Sequence, residues 1–174
     1  DVPNEKIIEK VQEGIFEIGI CFQPQFCDQL TFQPLLQEDV IAVVPKSHAL
    51  ANRQQITWHE LCSSPFITLQ NPSIIRHVIE KKCLENNVIL DLKVECHQIS
   101  SLSHFVAYGM GVSAIPRQFQ KYIDLEQIAV IEISDLNVQL QLGIIYKKDF
   151  QLSNISSEFL DMILTHPFFP NEEF

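Results

Sequence analysis

The stretch FVAYGMGVSAIP, residues 105–116, decides how the middle of the chain folds. Its first half continues a helical pattern that begins near Ser100, and Gly109 is typical of a residue that ends a helix. The β-rich residues 112–115 then indicate a short strand that stops at Pro116. A helix followed at once by a strand predicts an α/β arrangement for this part of the chain.

Strand and helix patterns alternate on both sides of this stretch. The predicted strands are residues 17–22, 30–36, 40–44, 66–69, 90–96, 112–115, 128–133 and 138–146. The predicted helices are residues 4–13, a short segment after Thr57, and residues 74–85, 100–108, 117–122 and 153–164. This alternation predicts a mostly parallel sheet covered on both faces, with ligands at the carboxyl ends of its strands. The run 17–22 is nearly all apolar, as expected of a strand that is buried on both faces.

Local signals mark the ends and the inner faces of these helices. We expect Asn4 to cap the first helix, Gly14 to end it, and Thr57 with Glu60 to form a capping box. Either Ser100 or Ser101 should cap the helix that follows. In the helix at residues 74–85, the positions expected to face inward are Ile75, Val78, Ile79 and Leu84. The apolar residues expected to share one face are Ile7, Ile8 and Val11 in the first helix, and Ile155, Phe159, Leu160, Ile163 and Leu164 in the last helix. The closing residues 167–174 are expected to form a loose tail.

Charge and composition exclude several classes of function. The chain has 174 residues, with 12 Lys and Arg against 22 Asp and Glu, for a formal net charge of −10. This balance disfavours direct binding to nucleic acid, because a surface that neutralises phosphates needs clustered cations. The apolar runs are too short to span a bilayer. The opening residues DVPNEK carry no signal-peptide pattern, which favours a cytoplasmic location.

Cysteine and histidine spacing gives no positive sign of a metal centre or a catalytic site. The five cysteines form an odd set without a C-x-x-C pair, which predicts reduced thiols. Cys83 and Cys96 have basic neighbours and remain alternatives for a redox sensor. His97 and His104 flank Ser100 and Ser101, but no G-x-S-x-G motif supports a nucleophile. We therefore expect no catalytic residue, no metal and no cofactor.

Four segments, among them the stretch at 105–116, resemble the effector-binding part of LysR-type bacterial transcriptional regulators. The resemblance extends from about Glu5 to Leu164, and it depends on the order and spacing of the segments together. Those segments are VQEGIFEIGI (11–20), VVPKSHAL (43–50) with the acidic pair 38–39 before it, SPFI (64–67) and FVAYGMGVSAIP (105–116). Glu17 departs from the pattern, since the family usually carries Asp there.

The resemblance implies an α/β fold of two Rossmann-like lobes joined by crossover strands, like a type 2 periplasmic binding protein. The implied division is residues 1–42 for an incomplete first lobe and 43–137 for the second lobe. Residues 138–166 would return to the first lobe and form the C-terminal helix, and 167–174 would be the tail. The family's opening strand–helix–strand unit, its linker helix and its winged helix-turn-helix have no counterpart in the sequence.

The resemblance also implies a small effector bound between the lobes. The implied effector-binding residues are Gln23, Thr68, Leu69, Gln70, Asn71, Ser100, Ser101, Ile115 and Pro116. Because a helix is expected to begin at Ser100 or Ser101, its free N–H groups favour an anionic effector. Capping at Ser100 and Ser101, loop stability at Thr68 and Gln70, and packing at Ile115 and Pro116 are the alternatives.

The leading functional hypothesis is a regulatory ligand sensor and not an enzyme. By resemblance it would form a homodimer or tetramer and would reach DNA only through a helix-turn-helix domain that lies outside this chain. One alternative is a periplasmic-type solute-binding protein of a transport system, which shares the architecture. A second alternative is an enzyme on the same fold, of the deaminase or dehydratase kind.

Overall fold

The structure, a computed structural model, describes residues 3–24, 28–135 and 138–165. The chain divides into two compact units. Unit 1 comprises residues 1–37 and 140–174, and unit 2 comprises residues 38–139. The expected tail at 167–174, Cys27 and part of the loop after residue 22 lie outside the described residues.

The described residues of unit 1 form two helices and part of a sheet. Its elements are α1 (Asn4–Gln12), β1 (Ile18–Phe22), the first half of β2 (Leu30–Pro45), most of β8 (Gln139–Lys147) and α5 (Asn154–Thr165). β1 pairs with β8 in antiparallel fashion, and β8 neighbours β2. The core consists of Val11, Cys21, Leu30 and Ile145, with Ile7, Ile8 and Phe32 packed against it. The predicted apolar face of α1 is therefore confirmed, and it packs on this core.

Unit 2 holds the second half of β2 at the centre of its sheet. β6 (Ser113–Pro116) and β7 (Ile128–Ile133) pair with β2 antiparallel on either side, and β3 (Gln55–Ile56) lies parallel to β7. β4 (Phe66–Leu69) and β5 (Leu92–Cys96) form a parallel pair. A parallel bridge between Phe66 and Val112 joins β4 to the segment that enters β6.

The described residues of unit 2 form three α-helices and one 3-10 helix. They are α2 (Trp58–Cys62), α3 (Ile74–Glu85), α4 (Ile99–Ala107) and the 3-10 helix Arg117–Tyr122. The predicted capping box is confirmed, since the Thr57 side chain accepts from the Glu60 N–H at 3.2 Å and the Glu60 carboxylate accepts from the Thr57 N–H at 2.8 Å. The predicted helix-ending glycines are confirmed as well, with φ of 75° at Gly14 and 76° at Gly109. At positive φ a residue with a Cβ is strained.

The expectation of a mostly parallel sheet was wrong. Within the described residues the pairs of β2 with β6 and β7, and of β1 with β8, are antiparallel. β1 is not buried on both faces either, because Ile20 is exposed. The strands predicted at 30–36 and 40–44 are one strand, because the acidic residues between them keep an extended backbone. Glu38 is buried there, and its carboxylate accepts the N–H of Gln118 at 3.0 Å.

Two predicted side-chain roles were also wrong. Asn4 lies inside α1 and Pro3 is the N-cap, so the Asn4 side chain is free to bond the backbone of Phe22. Its Oδ1 accepts the Phe22 N–H at 2.7 Å and its Nδ2 donates to the Phe22 carbonyl at 3.4 Å. Leu84 is 80% exposed, because Cys83 takes the inward position in the last turn of α3.

The described helices are short, and α3 and α5 have 12 residues each. In the described ranges no helix combines the length and the apolar character that a membrane span requires.

Candidate functional site

The carboxyl ends of β4 and β5 lie side by side and form one edge of unit 2. Leu69 pairs with Cys96, and the N–H of Gln70 donates to the Cys96 carbonyl at 2.9 Å. α3 begins a few residues after β4, and α4 begins just after β5. Residues 70–73 and 97–101, here called the β4–β5 edge, therefore bring two helix N-termini to the end of one parallel strand pair.

The two helix N-termini at this edge differ in how they are capped. The Ser73 hydroxyl accepts the N–H of Arg76 at 3.5 Å at the start of α3. α4 has Gln98 as its N-cap, and no side chain of the described residues caps it. Because α4 begins at Ile99, the predicted capping by Ser100 or Ser101 was wrong, and both residues are exposed in the first turn. The first N–H groups of a helix have no partner inside it, so this N-terminus can attract an anion.

Thr68 presents a buried hydroxyl just before this edge. Its side chain is fully buried, and its Oγ1 has no hydrogen-bond partner among the described residues. The Thr68 carbonyl accepts from the Cys96 thiol at 3.5 Å. Leu69 is buried beside it, whereas Gln70 is half-buried and Asn71 is exposed. Polar side chains therefore occur both in the buried part of β4 and in the more exposed residues that follow it.

The other predicted effector residues occupy different settings. Ile115 and Pro116 are buried in β6, where they pair with Ile41 and Val40 of β2. Their surroundings are those of core residues. Gln23 belongs to unit 1, is exposed, and donates its N–H to the Gln141 carbonyl at 2.8 Å. The structure thus places residues 68–71 and 100–101 around one edge.

Arg76 is a charged residue at this edge that the sequence analysis did not single out. Its side chain is 11% exposed, and it donates to Glu80 at 2.5 Å, to Glu95 at 2.6 Å and to the Leu69 carbonyl at 3.4 Å. Burial lowers the pKa of Arg76, but Glu80 and Glu95 together raise it further than burial lowers it. Its charge is neutralised by these two carboxylates. The spacing of Arg76 and Glu80, four residues apart in a predicted helix, was the available signal.

The serine and histidine side chains at the edge do not form a nucleophile and base. His104 Nδ1 bonds the carbonyl of Ser100 at 2.6 Å, and the Ser100 hydroxyl donates to Gln98 at 3.5 Å. Ser100 therefore has an amide oxygen as its partner where a nucleophile would need an imidazole. Among residues 3–24, 28–135 and 138–165, no group of three or more metal-binding side chains occurs.

Comparison with known proteins gives a family match and a consistent set of relatives. The model of the LysR substrate binding domain matches residues 2–167. The HTH-type transcriptional regulator YwbI of Bacillus subtilis is 25% identical over 168 residues, which cover 97% of this chain and 56% of YwbI. The HTH-type regulator YbhD of Escherichia coli is 26% identical, covering 93% of this chain and 54% of YbhD. The chain spans about half the length of the curated relatives it matches.

Two solved structures share the fold closely. The effector binding domain of QuiR in complex with shikimate has a TM-score of 0.86 at 19% identity, covering 94% of this chain and 78% of that one. The CcmR regulatory domain of Synechocystis PCC6803 in complex with 2-PG has a TM-score of 0.85 at 20% identity, covering 94% of this chain and 79% of that one. These likenesses establish the fold as that of the regulatory domains of such proteins.

Proposed function

The chain belongs to the family of LysR substrate binding domains, and from that premise we propose that it senses a small organic anion at the β4–β5 edge. The observation that carries the proposal is the start of α4 without a side-chain cap, at an edge where the buried Thr68 hydroxyl has no partner; both absences hold for the described part of the chain. An oxyanion would accept hydrogen bonds from both sources. The helix dipole adds a favourable term for negative charge at this point.

The proposed binding mode follows from which charges and hydrogen-bond donors at the edge are available to a ligand. Arg76 is occupied by Glu80 and Glu95, so it offers the ligand no spare cation. The anion would be held by neutral donors: the first N–H groups of α4, the Thr68 hydroxyl and the side-chain amides of Gln70 and Asn71. Ser100 and Ser101 would add hydroxyls at the rim. The ligands named for the two fold neighbours, shikimate and 2-PG, suit such a site because both carry oxyanions.

In the full regulator, the ligand bound by this chain would control transcription. A ligand shifts a regulator's output only when its affinity differs between two conformations, so the proposal requires that the edge changes between them. DNA would be contacted by a helix-turn-helix domain of the full protein, as the names of the HTH-type relatives suggest. We further propose a homodimer or tetramer, a cytoplasmic location, and no catalysis and no cofactor at the edge. Membership of the regulator family favours this function over solute binding for transport.

Calorimetric titration of the chain with shikimate, 2-phosphoglycolate (2-PG) and inorganic phosphate tests the proposal. Thr68→Val removes the hydroxyl and keeps the shape, and because that hydroxyl bonds no group in the described part of the chain, the variant should fold with unchanged stability. We expect it to lose affinity for the bound probe by on the order of tenfold.

A second variant tests the backbone donors of α4. Ile99→Pro removes the first N–H of the helix, and proline is tolerated at that position because Gln98 already has extended dihedrals, φ −131° and ψ 148°. Ile99→Ala is the matched control, since it loses the same side chain and keeps the N–H. We expect the proline variant to bind at least tenfold more weakly than the alanine variant. Equal binding by both, or saturable binding by none of the probes, would reject the site.

A further inference from the structure

The charged side chains beside the β4–β5 edge carry more negative than positive charge. Residues 70–73 and 97–101 themselves contain no lysine and no arginine. Arg76 lies beside them, and it donates to Glu80 at 2.5 Å and to Glu95 at 2.6 Å. One guanidinium and two carboxylates leave this cluster with an excess of negative charge at neutral pH.

Glu95 is the member of the cluster that lies directly beside Thr68. The two residues are register partners in the parallel pair of β4 and β5, in which neighbouring strands are about 4.8 Å apart. A single nitrogen of Arg76, Nη1, donates to the Glu95 carboxylate at 2.6 Å and to the Leu69 carbonyl at 3.4 Å. This bridge holds the carboxylate at the end of β4. The negative charge of Glu95 is therefore fixed next to the proposed anion site.

The positive charge that the edge offers comes from its helix N-termini. α3 and α4 both begin at this edge, at Ile74 and Ile99. Each helix N-terminus acts as about half an elementary charge, so the two together match about one carboxylate. A second or third negative charge on a ligand would have no counterpart, and the excess negative charge around Arg76 would repel it.

We infer that the β4–β5 edge selects monocarboxylates and that Glu95 is the residue that discriminates against ligands with more than one negative charge. The inference rests on the function proposed above and narrows the chemical class of the effector. Shikimate, with a single carboxylate, represents the accepted class. 2-PG adds a phosphate ester to its carboxylate and represents the rejected class. A specificity-determining charge changes the ratio of the two affinities, whereas a purely structural residue would change both alike.

Calorimetric titration of Glu95→Gln with both ligands tests the inference, at about pH 8, where the phosphate ester is fully ionised. Glutamine keeps an oxygen that accepts from Arg76, and Glu80 still neutralises the guanidinium, so the variant should fold normally. We expect 2-PG to bind about fivefold more tightly than it binds the wild type, and shikimate at most about twofold more tightly, because repulsion scales with ligand charge.

Glu85→Gln is the matched control. Glu85 also pairs with a basic side chain, Lys82 at 2.8 Å, and its side chain is 44% exposed against 43% for Glu95. It lies at the opposite end of α3 from the β4–β5 edge. The control removes the same charge from the chain, and we expect it to leave both affinities unchanged.

Salt dependence gives a second measurement that needs no variant. Raising the salt concentration from about 50 mM to about 500 mM shortens the screening length, so the preference of the wild type for shikimate over 2-PG should shrink. A wild type that prefers 2-PG, a preference for shikimate that does not fall with salt, or a Glu95→Gln variant that changes both affinities equally would overturn the inference and leave the anion site standing. Binding of neither ligand would instead reject the proposed function, and this inference with it.

Discussion

Helices α3 and α5 have the same length, but α3 buries much more of its apolar face than α5 does. α3 packs against β4 and β6 and buries Ile75, Ile79 and Cys83. α5 buries only Ile163, and its other apolar residues stay largely at the surface. Those exposed residues are Ile155, Phe159, Met162 and Leu164, which are 81%, 38%, 44% and 45% exposed. An apolar stripe therefore predicts a helix and its face, while the neighbouring element decides how much of that face is buried.

Polar contacts hold the start of α5. The Glu17 carboxylate accepts from the Ser153 hydroxyl at 2.7 Å, and the Ser153 hydroxyl accepts from the Ser156 N–H at 3.3 Å. A cavity of about 440 Å³ opens beside these groups in unit 1. It is lined by Ile15, Phe16, Glu17, Ile18, Ile155, Ser156 and Phe159. We therefore expect the cap to contribute a larger share of the stability of α5 than of α3.

The largest expected effect comes from truncating the buried face of α3. Ile79→Ala removes a side chain that is 1% exposed, and we expect it to lower the free energy of unfolding by about 2–5 kcal/mol because a cavity remains. Ile155→Ala in α5 removes a side chain that is 81% exposed, and the expected change is within about 0.5 kcal/mol. Urea unfolding followed by circular dichroism measures both. Similar losses for the two variants would mean that α5 is covered in solution.

An intermediate effect is expected from the cap of α5. Ser153→Ala removes the hydroxyl that bonds Glu17 and the Ser156 N–H, and we expect a loss of about 1 kcal/mol, typical of an N-cap. Phe159→Ala is the companion variant, and we expect the cap to matter at least as much as this half-exposed ring. If Phe159→Ala costs several times more than Ser153→Ala, apolar packing and not the cap holds α5.

The smallest effects concern pH, and they have opposite signs in the two units. Hydrogen bonds from Ser156 and Ser153 lower the pKa of Glu17, so its stabilising contribution is present above the ordinary carboxyl pKa and is lost as pH falls through the folded value. Burial raises the pKa of Glu38, so stability is lost as pH rises from the ordinary value through the folded one. Comparing Glu17→Gln and Glu38→Gln with the wild type between pH 3 and 7 measures each slope. Slopes of the same sign would contradict this account.

The sequence predicted those features that depend on a few neighbouring residues. The ends of α3, the capping box at Thr57 and the helix-ending Gly14 and Gly109 follow from local patterns and were confirmed. The joining of two predicted strands into β2 and the antiparallel pairing depend on strand partners distant in sequence. Local patterns do not contain that information.

The same distinction applies to the candidate site, where local patterns predicted some features and tertiary contacts determine the others. The position of residues 68–71 at a strand end was predictable, because strand ends follow from apolar runs. The missing side-chain cap of α4 follows from the position of its N-cap, which is Gln98 and not Ser100 or Ser101. The unpartnered hydroxyl of Thr68 and the two ion pairs of Arg76 depend on tertiary contacts that no spacing rule provides.

The most direct test of the proposed sensor is an NMR titration of the isotope-labelled chain with shikimate and with 2-phosphoglycolate. The account predicts saturable shifts concentrated on the amides of Gln70, Asn71 and residues 99–101, with the shifts at 99–101 weakened in Thr68→Val. Shifts centred instead on residues 15–18 and 155–159, or shifts that Thr68→Val leaves unchanged, would contradict it.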